Sequence, residues 1–166
     1  MNEPTQKEIP MHLIDIADQC LKTMNLPAMR VPSMPVINLS IDSAVGKLNL
    51  YLHSHEQTHR LFVYTRPQDL PVPKEYITAL SEFLSRANFG LPLGNFEIDM
   101  NDGEFNFKNS VDIADGQLTP QMVQTLIVFS LECFNRYMPG IRAVLGGQAP
   151  KTAIEAIDGA TQIQIR

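Results

Sequence analysis

Between Asn95 and Ser110 apolar and polar residues alternate on both sides of an Asp102-Gly103 pair, the pattern of a β-hairpin. Asp-Gly accepts the positive φ that both central residues of a two-residue hairpin turn require. The register this implies sets Met100 opposite Phe105, Ile98 opposite Phe107 and Phe96 opposite Asn109 on one face. On the other face Asp99 meets Asn106, Glu97 meets Lys108 and Asn95 meets Ser110. A slip of one residue would exchange the apolar and polar faces, which argues for a well-specified register.

Three further stretches read as strands. Val36–Asp42 alternates with Ile37, Leu39 and Ile41 inward. Lys47–His55 turns Leu48, Leu50 and Leu52 inward and Asn49, Tyr51 and His53 outward. Arg60–Thr65 is apolar throughout, as expected of a central strand or one partly covered on both faces.

Helical spacing takes over elsewhere. Roughly Pro10–Asn25 places Leu13, Ile16, Ala17, Cys20 and Met24 on one face and ends at Asn25-Leu26-Pro27. A second helix opens at Pro73, carries the stripe Tyr76, Ile77, Leu80, Phe83, Leu84 and Ala87, and stops at Gly90. Thr119-Pro120 opens a third, which Gly146-Gly147 ends. The tail adds one short helix, Thr152–Ile157, and residues 1–9 and 159–166 read as frayed ends. The order α-β-β-β-α-β-β-α predicts one α+β domain over residues 1–166, an antiparallel five-stranded sheet with helices mainly on one face.

The third helix is unusually apolar. Met122, Leu126, Phe129, Cys133 and Tyr137 form one stripe, and Val123, Ile127, Leu131, Phe134 and Met138 form a second beside it. Together they cover about 200° of the helix, twice the roughly 100° of an ordinary surface helix. Five large apolar side chains left wet would forfeit roughly 7–15 kcal/mol, comparable to a whole domain's net stability. Something must cover the second stripe. Either the first helix or the tail does so, or Val123, Ile127, Leu131, Phe134 and Met138 form a subunit or client surface.

Composition narrows the function. At 166 residues, 44% hydrophobic and 19% charged, the chain can bury a sizeable core. Its net charge is −5, and Glu97–Asp115 holds six acids (Glu97, Asp99, Asp102, Glu104, Asp112, Asp115) against Lys108. The remainder is near neutral and offers no basic face for phosphates, so nucleic acid and anionic membrane are not expected partners. No apolar run is long enough to span a membrane, and the polar start MNEPTQKEIP is unlike a signal peptide. Cys20 and Cys133 lack metal-type spacing and read as buried thiols of a cytoplasmic protein.

Two constellations carry potential chemistry. His53 and His55 share a strand face near His59, but beyond Glu56, which would point away, no further ligand is indicated. Glu97, Asp99, Asp102 and Glu104 could do acid–base work or bind calcium, yet they equally suit a solvated face that discourages edge pairing. Asn-Asp-Gly-Glu lacks the ligand alternation of an EF-hand. Phosphate-binding, nucleophile-elbow and metalloprotease motifs are absent. The expectation is a protein with no catalytic residues, no metal and no cofactor.

The stretch VPKEYITALSEFLSRANFGLPLGNFEIDMNDGEFNFKNSVDIADGQLT (72–119), with RYMPGIRAVLGG (136–147), resembles the bacterial YbjN family, described as candidate sensory transduction regulators. The phrase that carries it comprises Arg86, Ala87, Asn88, Gly90, Gly94, Asn95, Phe96, Glu97, Asp99, Asp102, Gly103 and Glu104. It covers about half of the chain, and the first 70 residues match in element order alone. The resemblance implies a type III secretion chaperone-like fold, an α/β sandwich that often dimerises and binds protein segments. It brings no catalytic residues with it.

These readings converge on a cytoplasmic, non-enzymatic module, homodimeric, that binds a protein or peptide in a regulatory or chaperone-like role. Its partner would add to a sheet edge or lie on surplus helix surface. The alternative is a small-ligand binder or enzyme using the polar outer face of the sheet around Tyr51, His53, Glu97, Asp99 and Lys108, which needs a concave pocket.

Overall fold

A computed structural model of the chain describes residues 12–114 and 116–163. Helix α1 (Leu13–Thr23) buries Ile14, Ala17, Cys20 and Leu21. Asn25 ends it in the left-handed region (φ 54°), and the Leu26 N–H reaches back to the Leu21 carbonyl at 3.0 Å. Its first turn is capped from afar: a Glu56 carboxylate oxygen accepts from the Leu13 N–H at 3.1 Å.

The strands are β1 (Met29–Arg30), β2 (Val36–Ser43), β3 (Gly46–His55), β4 (Arg60–Pro67), β5 (Asn95–Ile98) and β6 (Phe105–Asp112). They form one sheet in the order β1-β2-β3-β4-β6-β5, antiparallel throughout. The sheet therefore has six strands, not five. The addition is the two-residue β1, which lies in the proline-rich segment between Pro27 and Pro35 and is too short to show an alternation.

Helix α2 (Ile77–Asn88) buries Ile77, Leu80, Phe83, Leu84 and Ala87, as its stripe predicts. Helix α3 (Pro120–Leu145) begins at the Thr119 cap, whose side chain accepts from the Met122 N–H, and ends at Gly146. It runs through Pro139, which is exposed. Helix α4 (Pro150–Ile163) is longer than the expected Thr152–Ile157 and includes residues 159–163, read from sequence as frayed. Its length has a cause: Ala153 and Ile154 are buried, and α4 packs on both α2 and α3. Residues 1–9 and 164–166, also read as frayed, lie outside the described residues.

Helices α1, α2 and α3 cover one face of the sheet, and α4 lies against the helices. The covered face carries Ile37, Leu39, Leu48, Leu50, Leu52, Leu61, Val63, Phe105 and Phe107, all buried. The second stripe of α3 belongs to this core. Val123, Ile127 and Phe134 are 0% exposed, Met138 is 1% exposed, and Leu131 is half-buried against the same cluster. These five side chains are thus covered by α1, α2, α4 and the sheet of the same chain, and do not form the subunit or client surface that was the other expectation.

The β5–β6 hairpin differs from its expected register by two residues. Ile98 faces Phe105, Phe96 faces Phe107, Glu97 faces Asn106 and Asn95 faces Lys108. The Asp99 N–H donates to the Glu104 carbonyl at 2.8 Å, so the turn holds four residues rather than two. Asp99 organises it: Oδ1 accepts from the backbone N–H and the side-chain amide of Asn101, each at 2.8 Å. Of the turn residues only Gly103 has positive φ (81°), so Asp102 and Gly103 do not form the two-residue turn. Met100, expected to point inward, is 54% exposed. An even shift keeps every strand side chain on its own face, so Phe96, Phe105, Phe107 and Asn109 remain buried.

Candidate functional site

The opposite face of the sheet is covered by none of the described helices, and its side chains are half-buried or exposed. Period-two alternation places Tyr51, His53 and His55 of β3 there, beside Phe62, Tyr64 and Arg66 of β4 and Asn106 and Lys108 of β6. The strand registers bring Tyr51 opposite Tyr64, His53 opposite Phe62 and Tyr64 opposite Lys108. An aromatic centre results. His53 and His55 meet edge-on at 4.6 Å, His55 and Phe62 at 5.1 Å, and Phe62 stacks on Tyr64 at 6.2 Å.

Ion pairs frame this centre. Arg66 donates to the Tyr51 hydroxyl at 2.9 Å and to Glu104 at 2.6 Å, and its guanidinium lies 4.8 Å from the Tyr51 ring centroid. Burial acts to lower the Arg66 pKa, but Tyr51 and Glu104 together outweigh it and leave it raised. Lys108 donates to Glu97 at 2.9 Å and lies 5.9 Å from the Phe62 centroid. The hydrogen bond to Glu97 is the main cause of its raised pKa. Arg60 holds Asp112 at 2.8 Å farther along. Each cation on this rim has a carboxylate of its own. The face is aromatic in the middle and neutralised at its edge.

Burial, with the adjoining His55 as the second cause, holds His53 below its ordinary pKa of 6.5. His53 is accordingly neutral at physiological pH. Glu56 has left the strand for a 3-10 turn, where it accepts from Ser54 and α1 instead of facing the histidines. Among the described residues no group of three His, Cys, Asp or Glu side chains could hold a metal ion.

The four hairpin carboxylates, Glu97, Asp99, Asp102 and Glu104, line one open cleft, but each is separately engaged. Glu97 and Glu104 are ion-paired, Asp99 folds the turn, and Asp102 accepts from the Glu104 N–H. A cleft of about 590 Å³ lies among Glu97, Asp99, Glu104 and Asn106. Asn38 and Asn106, both on the open face, carry shielded side-chain carbonyl oxygens with no hydrogen-bond partner among the described residues. Of the outer-face residues named from sequence, the fold brings Tyr51, His53, Glu97 and Lys108 onto one surface. Asp99 is withdrawn into the turn.

Phe62, Tyr64 and Arg66 escaped the sequence reading. The stretch Arg60–Thr65 reads as apolar throughout, yet the buried face of β4 is Leu61, Val63 and Thr65 alone. The alternation of ring against branched aliphatic residues was the available signal.

No protein family profile matches the chain, and no curated protein matches it in sequence. None of the described helices is long and apolar enough to cross a membrane. Solved structures do resemble it. The crystal structure of YbjN, a candidate transcription regulator from E. coli, superposes with a TM-score of 0.55 at 13% identity, over 72% of this chain and 84% of that one. The ExsC–ExsE complex superposes with a TM-score of 0.47 at 14% identity, over 74% of this chain and 90% of that one. This chain has the fold of YbjN.

Proposed function

We propose that the protein is a non-enzymatic binding module of regulatory or chaperone-like kind, working as a homodimer in the cytoplasm and docking a protein or peptide partner on the open sheet face. The observation that carries this reading is the uncovered aromatic centre of Tyr51, His53, Phe62 and Tyr64 inside a rim of internally paired charges. A neutral aromatic surface favours another polypeptide surface over a polyanion. The non-enzymatic part is supported by how the available groups are used: both thiols are buried, and Glu97, Asp99 and Glu104 are engaged in pairing or in the turn. The free, buried cysteines also suit a reducing compartment. Strand addition at β5 is opposed, because Asn88 already occupies the backbone groups of Phe96 on that edge.

The test is site-specific photo-cross-linking in the protein's own cells. A photoreactive residue at Tyr64 is expected to give a discrete protein adduct, and one at the exposed Glu132 of α3 none. Equal adducts from both positions, or none from Tyr64, would remove the open face as the docking surface.

A further inference from the structure

His53 and His55 touch within the aromatic centre of the open face, their rings edge-on at 4.6 Å, and His55 meets Phe62 at 5.1 Å. The strand register sets Phe62 opposite His53 and Arg60 opposite His55. Imidazole is the ordinary side chain that changes charge between pH 5 and 8, so these two rings decide the charge of the centre in mild acid.

The pair has no acid to receive that charge. Around the face Glu97 is taken by Lys108, Glu104 by Arg66 and Asp112 by Arg60. Glu56, next in sequence to His55, accepts from Ser54 and from the Leu13 and Ile14 N–H groups and stands 3.6 Å from His12. The fourth histidine, His59, acts on Asp112. From the neighbouring strands, β2 offers Val36 and Asn38, which carry no charge, while β4 and β6 offer the cations Arg60 and Lys108 and the paired Asp112. No described helix packs on this face to supply another group. Burial and then His55 oppose a proton on His53, and no carboxylate counters them.

We infer that the open face is proton-gated: it holds its partner while His53 and His55 are uncharged and releases it when mild acid puts a proton on the pair. A partner seated over the centre would bury an imidazolium that has no counter-ion, which is costly. Docking and protonation therefore oppose each other, and by linkage each weakens the other by the same factor. One imidazole of pKa 6.5 or below can weaken docking by up to about tenfold at about pH 5.5. The inference rests on the proposed docking at the open face and names its regulation.

Photo-cross-linking at Tyr64, in extracts of the protein's own cells buffered at about pH 7.5 and about pH 5.5, tests it. The discrete adduct is expected to fall severalfold in acid when both histidines are present. It is expected to persist in a His53→Gln/His55→Gln chain, whose amides stay uncharged in both buffers. Circular dichroism of both chains is expected to be the same in the two buffers. Imidazole ring-proton NMR of the full chain needs no partner: His53 is expected to titrate below 6.5, and to move upward in His55→Gln. An adduct that is unchanged or stronger in acid would overturn the inference alone and leave docking in place. An equal acid loss in the double variant, a native spectrum lost in acid, or a His53 that titrates at or above 6.5 would overturn it as well, by placing the titration elsewhere. No adduct at neutral pH would remove the docking surface and the gate with it.

Discussion

Asn88 and Phe96 are joined by two hydrogen bonds through one side-chain amide. The Asn88 Nδ2 donates to the Phe96 carbonyl at 3.0 Å, and the Phe96 N–H donates to Asn88 Oδ1 at 2.7 Å. A side chain at the end of α2 thus stands where the peptide of a seventh strand would pair. It blunts the β5 edge and ties helix to sheet at once. Asn88→Ala is expected to destabilise the fold by about 1–3 kcal/mol in urea titration, because both backbone groups lose their partner. Asn88→Asp keeps the acceptor but sets a carboxylate against the Phe96 carbonyl, so no rescue is expected. A midpoint unchanged in either variant would contradict the clamp.

Glu56 governs the acid limit of α1. Burial opposes its charge, but bonds from Ser54, Leu13 and Ile14 and the charge of His12 outweigh this, and its pKa lies below the ordinary 4.5. The unfolded chain therefore takes up a proton before the folded one. The stabilisation is complete above pH 4.5 and disappears as pH falls through the lower, folded value. Glu56→Ala is expected to cost about 0.5–2 kcal/mol at neutral pH, as loss of a helix cap does. Denaturation curves of wild type and variant should converge in acid. A gap that persists below the folded value would point to packing instead of charge.

Gly140 of α3 sits where side chains of α2 and α4 press against the helix backbone. A Cβ there would stand 2.5 Å from Phe83 Cζ and 2.8 Å from Ile157 Cδ1. Alanine gains about 1 kcal/mol in helix propensity but overpacks at about 1–3 kcal/mol, so the clash wins or at best breaks even. Gly140→Ala should lower the urea midpoint, and Phe83→Leu in the same chain should recover part of the loss. A clear stabilisation by Gly140→Ala alone would show that α2 and α4 yield easily.

Neither cysteine is built for reaction. Burial is the main cause that pushes the Cys133 thiol up to about 12, with Glu132 adding to it. Burial also raises Cys20, whose Sγ donates to the Pro120 carbonyl at 3.3 Å. A disulfide reagent at neutral pH is expected to label neither thiol in the folded chain and both after unfolding. Fast labelling of the native protein would place at least one thiol outside the core.

How far such features can be read from sequence differs from residue to residue. Alternation assigned Phe96, Phe105 and Phe107 to the buried face correctly, because face depends on parity. Register does not: a shift of two preserves parity, and only the Asp99 side chain selects the four-residue turn. Glu97 and Lys108 form their pair diagonally in consequence, not directly across the ladder. The apolar excess of α3 is legible, and so is one of its two candidate covers, α1 or the tail; the length of α4 is not, since it depends on packing against α2 and α3. The open aromatic face was half visible. Tyr51 and His53 stood out against polar neighbours, while Phe62 and Tyr64 were masked by aliphatic residues that point the other way.

The strand order also dictates how the chain finds its fold. β2, β3 and β4 pair with their immediate neighbours in sequence, as do β5 and β6, whereas β4 meets β6 only after α2 and β5 have intervened. Within the sheet, loop-closure entropy falls mainly on that long-range pairing, so the seating of β6 on β4 is expected to slow folding. Stopped-flow refolding should therefore slow more for Val63→Ala, at this seam, than for Leu50→Ala in the β2–β3 hairpin at equal loss of stability. The bottleneck expected from this order lies at the centre of the sheet, under the same two strands that present Phe62, Tyr64 and Lys108 on the open face.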